Sequence, residues 1–272
     1  MAREKELLEA EKKHQRDQRR LQKLQEFSLM DDEFMTKVFE DSLECTELIL
    51  RIILDKQDLQ VKSVRTQYTI KNLQGRSVRL DIFADDSEDK KYNIEIQRDD
   101  RGAGAKRARY NSSIIDANSL SEGMKTEELP ESYVIFITET DVFGENKPIY
   151  HVERMVEEIN QGFGDGSHIL YVNGEFKDES PLGLLMHDFM CTDPREMHYK
   201  ELADRVRHLK EDTGGDRAMG RVMEELIMEE KQEVAIRLLQ RGKMTKEEIA
   251  EDTELSIEEV NALEKELQME LL

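Results

Sequence analysis

Tryptophan is absent from this 272-residue chain, aromatic residues make up only 6%, and proline occurs four times. A core must therefore come from aliphatic side chains. Only two cysteines, Cys45 and Cys191, are present, with no CxxC pair, so neither a disulfide framework nor a cysteine-ligated zinc site is indicated. His187, His198 and His208 are scattered without ligand spacing and read as structural. No apolar run approaches the roughly 18 residues that cross a bilayer. The start, Met1-Ala2-Arg3-Glu4-Lys5, lacks the apolar stretch of a secretory signal. The expectation is a soluble, cytoplasmic protein with no membrane partner.

Basic charge is also short. Sixty-one acidic residues against 40 basic ones leave a net charge of -21, which argues against broad attraction to nucleic acid. A local basic groove stays compatible with that balance. From Glu211 to Leu272 there are 18 acids and 8 bases. From Arg98 to Arg109, by contrast, five bases (Arg98, Arg101, Lys106, Arg107, Arg109) face two acids. This stretch is either a solvated helix start or the basic flank of a site.

What the chain does contain is a hairpin pattern. Val78-Arg79-Leu80-Asp81-Ile82-Phe83-Ala84 and Tyr92-Asn93-Ile94-Glu95-Ile96-Gln97 are apolar at alternate positions, and a polar run from Asp85 to Lys91 supplies the turn. Symmetric folding pairs Leu80 with Ile96, Ile82 with Ile94 and Ala84 with Tyr92 on one face. Asp81 then stands beside Glu95 on the other, with Gln97 two residues further on. Two carboxylates opposed across a hairpin repel unless a cation lies between them. The pattern points to a hard divalent metal, Mg²⁺ or Mn²⁺, held by Asp81 and Glu95 with the Ile96 carbonyl as a further oxygen. Such a metal suits phosphodiester hydrolysis. The alternative is an amphipathic hairpin whose acids merely face solvent.

Around the hairpin the reading is α/β. Residues 1–26 form a charged helical extension. Ser28 or Asp31 caps a helix through Phe34, Met35, Val38 and Phe39, and Cys45, Leu48, Ile49, Ile52 and Ile53 stripe a second. Val61–Tyr68 and Thr69–Leu73 are strand segments, with Gln74-Gly75 as the turn. A helix over Ala105–Leu120 places Arg107, Tyr110, Ile114 and Ala117 on one face and ends at Gly123. Tyr133–Ile137 reads as a buried central strand, and His168–Val172 as another, closed by Asn173-Gly174. From Leu182 onward the pattern is helical, with Gly214-Gly215 as a joint. Three segments are expected: a helical extension at 1–26, a mixed-sheet core at 27–190, and an acidic helical tail at 191–272.

These motifs, in this order, resemble the PD-(D/E)XK nuclease superfamily. More narrowly they resemble the PD-(D/E)XK family transposases, the recombination-promoting nucleases of mobile elements, in which Gln commonly replaces the triplet's Lys. The resemblance runs from Phe27 to Phe189. It begins at Asp31-Asp32-Glu33-Phe34-Met35-Thr36-Lys37-Val38-Phe39, where Met35 stands at the usual Lys and Val38 at the second Phe. It continues through Arg79-Leu80-Asp81-Ile82, Tyr92–Gln97 and Lys106-Arg107-Ala108-Arg109-Tyr110. It implies a restriction-endonuclease-like sheet flanked by helices, DNA as partner, and a Mg²⁺- or Mn²⁺-dependent endonuclease. Asp81 and Glu95 would be metal ligands and catalytic with Gln97, which takes the place of the Lys that orients water. Gln carries no positive charge, so a catalytically weak fold retained as a binding or regulatory module is the rival. Asp32 is either an accessory acid or a helix N-terminal acid complementing the dipole. Arg107 and Tyr110 either hold a phosphate, or neutralise the carboxylates and pack in the core, respectively.

The C-terminal segment Met244–Leu263 has helix-turn-helix spacing, with Ile249, Ala250, Leu255 and Val260 at core positions. Glu254 replaces the customary turn Gly, and Glu258, Glu259 and Glu264 on the second helix would repel phosphate. A packing or partner-binding helical hairpin is expected. Upstream, Met219, Val222, Met223, Leu226, Ile227, Val234, Ile236, Leu238 and Leu239 suggest an amphipathic arm for self-association. An acidic scaffold using its terminal helices would account for the ends of the chain but not for the hairpin acids.

Overall fold

The computed structural model describes residues 22, 24–72, 75–98, 100–211, 228, 231–232, 234–242 and 244–270. Residues 25–211 form one compact unit, and the described C-terminal helices belong to a second. The charged extension expected at 1–26, the Gly214-Gly215 joint and the arm positions Met219 to Ile227 lie largely or wholly outside the described residues.

The first unit opens with two helices, α1 (Asp32–Phe39) and α2 (Leu43–Leu54). Asp31 precedes α1 but makes no side-chain cap to it; its carboxylate instead accepts the Ser28 amide at 2.8 Å. Ser42 caps α2 by accepting the Cys45 N–H. Phe34, Met35, Val38 and Phe39 of α1 and Cys45, Ile49, Leu50 and Ile53 of α2 are buried, while Leu48 and Ile52 are only half-buried. Each fully buried aliphatic or aromatic side chain of this kind contributes about 1.5–3 kcal/mol.

Strands β1 (Val61–Ile70), β2 (Val78–Asp86), β3 (Lys91–Gln97), β4 (Ser132–Thr138), β5 (Ile149–Val152) and β8 (Ser167–Asn173) make one mixed sheet in the order β1-β2-β3-β4-β8-β5. The pairs β1/β2, β2/β3 and β8/β5 are antiparallel, and β3/β4 and β4/β8 are parallel. Two-residue strands β6 (Met155–Val156) and β7 (Gln161–Gly162) form a separate small ladder. Helix α3 (Ala105–Ser119) is the crossover from β3 to its parallel neighbour β4. After β8 come α4 (Pro181–Met190) and α5 (Lys200–Lys210). This is a six-stranded mixed sheet flanked by helices, a restriction-endonuclease-like α/β fold. No helix among the described residues is long and apolar enough to cross a membrane.

Several elements depart from the sequence expectation. The two segments Val61–Tyr68 and Thr69–Leu73 are a single strand β1, because it pairs with β2 from end to end. Strand β5, unforeseen, is a four-residue edge strand whose half-exposed residues carry little alternation. The buried positions of α3 are Ala108, Asn111, Ser112, Ile114 and Ile115, so Tyr110 and Ala117 lie on its solvent side. At the end of β8, Asn173-Gly174 closes against β4 rather than forming a hairpin turn. The Gly174 amide donates to the Thr138 carbonyl at 2.8 Å, and a Cβ there would come within 2.4 Å of that oxygen.

In the second unit, α6 (Lys246–Thr253) and α7 (Ile257–Glu270) pack with helical residues 234–241 around Ala235, Ile249, Leu255, Val260 and Leu263. Thr245 and Glu248 cap α6 reciprocally. Glu254, at the turn between them, has φ 53°, the left-handed conformation that a Gly there would adopt without strain.

Candidate active site

The β2–β3 ladder pairs Ile82 with Ile94 and Ala84 with Tyr92, as the alternation predicts. It stops there: the expected Leu80–Ile96 pair does not form. Instead the Ile96 N–H donates to the Asp81 carboxylate at 3.0 Å, so a side chain takes the place of a strand partner. On the other flank, β1 pairs Thr66 with Ile82 and Tyr68 with Leu80, leaving Gln67 opposite Asp81 with φ 48°. A left-handed non-glycine costs about 1 kcal/mol. Gln67 is turned so that its Nε2 donates to Asp32 at 2.9 Å and to Thr36 at 3.0 Å. Asp81 thus sits where β2 is irregular on both edges.

The hairpin's second face is not solvent-facing. Asp81 is 9% exposed and Glu95 is fully buried beneath α3. From α3, Arg107 donates through one terminal nitrogen to Glu95 and through the other to Gln97 at 3.3 Å and the Gly102 carbonyl at 3.1 Å. One turn further on, Asn111 donates to the other oxygen of Glu95 at 3.3 Å. Its own carbonyl oxygen is buried without a hydrogen-bond partner among the described residues.

Burial pushes the Asp81 carboxyl well above the usual carboxylate range, and the charges of Glu95 and Asp32 push it the same way. The Ile96 amide and Arg107 pull against them. Glu95 is also raised by burial, with the Arg107 charge as the main opposing influence. Three acids therefore share a region in which Arg107 is the cation paired with Glu95.

The structure brings Asp81, Glu95, Ile96, Gln97 and Arg107 together, and Asp32 close enough for its charge to act on Asp81. It places Tyr110 elsewhere. Tyr110 is 37% exposed, and its hydroxyl donates to the Arg76 carbonyl and accepts from Asn72 at 3.4 Å. It is not packed in the core. Arg107 pairs with Glu95. Two participants were missed from the sequence. Asn111 had a signal, because it lies one helical turn from Arg107. Gly102 had none: a Cβ there would meet Gln97 Oε1 at 1.8 Å, a contact that only the folded loop creates.

The metal that such a fold implies can be tested against this donor set. Two buried carboxylates of raised proton affinity, a third acid nearby and an unpartnered amide oxygen beside Glu95 are oxygen donors short of positive charge, as a hard divalent cation requires. The residues fit.

No curated protein and no solved structure matches the chain. The model of the PD-(D/E)XK nuclease family transposases matches residues 46–177, from within α2 to just beyond β8. That span is shorter than the Phe27–Phe189 resemblance and leaves out α1, whose motif departs from the family at Met35 and Val38. The sheet order and the hairpin acids agree with this match, and over residues 46–177 the chain is similar to the PD-(D/E)XK nuclease family transposases.

Proposed function

We propose that this protein is a divalent-metal-dependent endonuclease that hydrolyses phosphodiester bonds in DNA, with Mg²⁺ or Mn²⁺ as its cofactor. The observation that carries this reading is the pair of buried carboxylates, Asp81 and Glu95, on adjacent strands with raised proton affinity. They would hold the ion, with the Ile96 carbonyl as a third oxygen and Asp32 as an accessory acid pinned by Gln67. When bound, the metal supplies a water of lowered pKa and offsets charge at the phosphate. Gln97 then orients water through its amide, its own oxygen being anchored by Arg107. Lys106 and Arg109 are exposed on the same helix and offer phosphate contacts outside the acidic interior. A role in DNA recombination accords with the family, and the terminal helices are a route to a homo-oligomer. We place the activity in the cytoplasm.

One observation favours the rival, a fold retained for binding or regulation: Arg107 already occupies Glu95 and Gln97, and Gln97 brings no positive charge. Plasmid cleavage decides. Purified protein with Mg²⁺ or Mn²⁺ is expected to nick supercoiled DNA, and Asp81→Ala and Glu95→Ala are expected not to. DNA binding without cleavage in the parent supports the rival; equal cleavage in all three proteins removes this site from the reaction.

A further inference from the structure

Beyond the nuclease site, the structure gathers residues that are remote in spacing. His187 and Asp188 end α4, and His198 lies in the segment before α5. One ligand atom from each of the three lies within 4.8 Å of the other two. Asp188 is fully buried, and four nitrogens meet its carboxylate. Oδ1 faces the His198 amide at 2.9 Å, His198 Nδ1 at 3.0 Å and His187 Nδ1 at 3.2 Å. Oδ2 faces the same His198 amide at 2.9 Å and the Tyr199 amide at 2.8 Å. The His198 amide is shared between the two oxygens, and Oδ1 is the point on which both imidazoles converge. Each imidazole Nδ1 lies 3.0–3.2 Å from the shared carboxylate oxygen, a separation that ligands of an ion with bonds of about 2.0–2.2 Å adopt.

We propose that His187, Asp188 and His198 form a binding site for a divalent first-row transition ion of the zinc class. Mixed imidazole and carboxylate donors select such ions, whereas Mg²⁺ prefers oxygen alone. The backbone amides of His198 and Tyr199 orient Asp188, as outer-shell donors do at metal sites. Tyr199 is in turn tied to α4 through its hydroxyl, which donates to the Pro181 carbonyl at 2.7 Å. The imidazole side chains are 40% and 41% exposed, so an ion has an entry path and its remaining positions face water. Its role is a clip between the end of α4 and the start of α5, made by side chains that sequence spacing does not relate.

The test titrates the full chain, stripped with chelator, with Zn²⁺ against a chromophoric competitor, and with Co²⁺ followed by visible absorption. An Asp81→Asn/Glu95→Gln protein, which removes the hairpin carboxylates, is expected to bind one Zn²⁺, and the histidine substitutions are made in that background. His187→Gln and His198→Gln are expected to weaken that binding at least about tenfold, the scale of losing metal-site contacts. Co²⁺ in the Asp81→Asn/Glu95→Gln protein is expected to give the intense bands of a nitrogen-containing, low-coordinate site. No stoichiometric Zn²⁺ in that protein, or equal affinity in both histidine variants, overturns the proposal. Should the histidine variants lose their circular dichroism, the Co²⁺ spectrum of the Asp81→Asn/Glu95→Gln protein decides: pale, all-oxygen octahedral bands overturn it.

Discussion

Asp81 and Asp188 are both buried aspartates of the 25–211 unit, and they are surrounded in opposite ways. Asp188 is met by two backbone amides and two imidazoles. Asp81 has one amide donor, from Ile96, and two acids whose charges oppose its own. One carboxylate is built into the fold by donors that order the start of α5. The other is kept at a cost that its surroundings do not offset, which is the usual condition of a group retained for chemistry. Their environments also differ in the groups gathered: carboxylates at the hairpin, imidazoles and a carboxylate at the α4–α5 junction.

The largest effect expected from this contrast is on cleavage. Asp81→Ala or Glu95→Ala is expected to lower metal-dependent nicking by about 10²–10³-fold, the scale of losing one preorganised charge-stabilising group. Asp188→Ala should act on stability, because it strands the His198 and Tyr199 amides. A loss of about 3 kcal/mol is expected in denaturant melts. Gly102→Ala would displace Gln97, whose Oε1 lies 1.8 Å from the new Cβ, and is expected to cost about tenfold in cleavage with little change in melting.

The smallest effect has the opposite sign to Asp188. Asp81→Asn is expected to stabilise the metal-free protein at neutral pH by about 1 kcal/mol, by removing a charge raised by burial and by Glu95 and Asp32. The pH dependence follows the same sign. As pH rises through about 4, the unfolded chain loses its carboxyl protons first. The native state, with Asp81 and Glu95 raised, then holds more protons, so stability falls until the native values are passed. Urea melts across that range should show the slope in the parent and a weaker one in Asp81→Asn. A parent flat in pH, or an Asp81→Asn protein less stable than it, would mean that Asp81 is a structural acid like Asp188.

Much of the sheet was legible because burial and alternation are local signals. Ile82 opposite Ile94, the buried run Tyr133–Ile137 and the helix over Ala105–Ser119 all follow from periodicity. The Leu80–Ile96 pair was not, since symmetric pairing assumes a regular ladder and Asp81 interrupts it with its own side chain. Whether Tyr110 packs in the core or stands exposed on α3 was open for a related reason: which of two adjacent helix faces is buried depends on the sheet beneath it. The histidines were read as unrelated because no spacing links His187 with His198, and only the α4–α5 turn brings them to one carboxylate.

By itself the sequence determined the α/β class, the hairpin and the meeting of Asp81 with Glu95, because strand period and turn chemistry are written in neighbouring residues. Tertiary structure alone decided what surrounds those acids. The crossing of α3 over β3 buries Glu95 and sets Arg107 and Asn111 against it, and the return of the chain to α4 gathers two histidines on Asp188. Burial and through-space charge depend on which elements pack together, and these are what raise the hairpin acids and separate the two aspartates in kind.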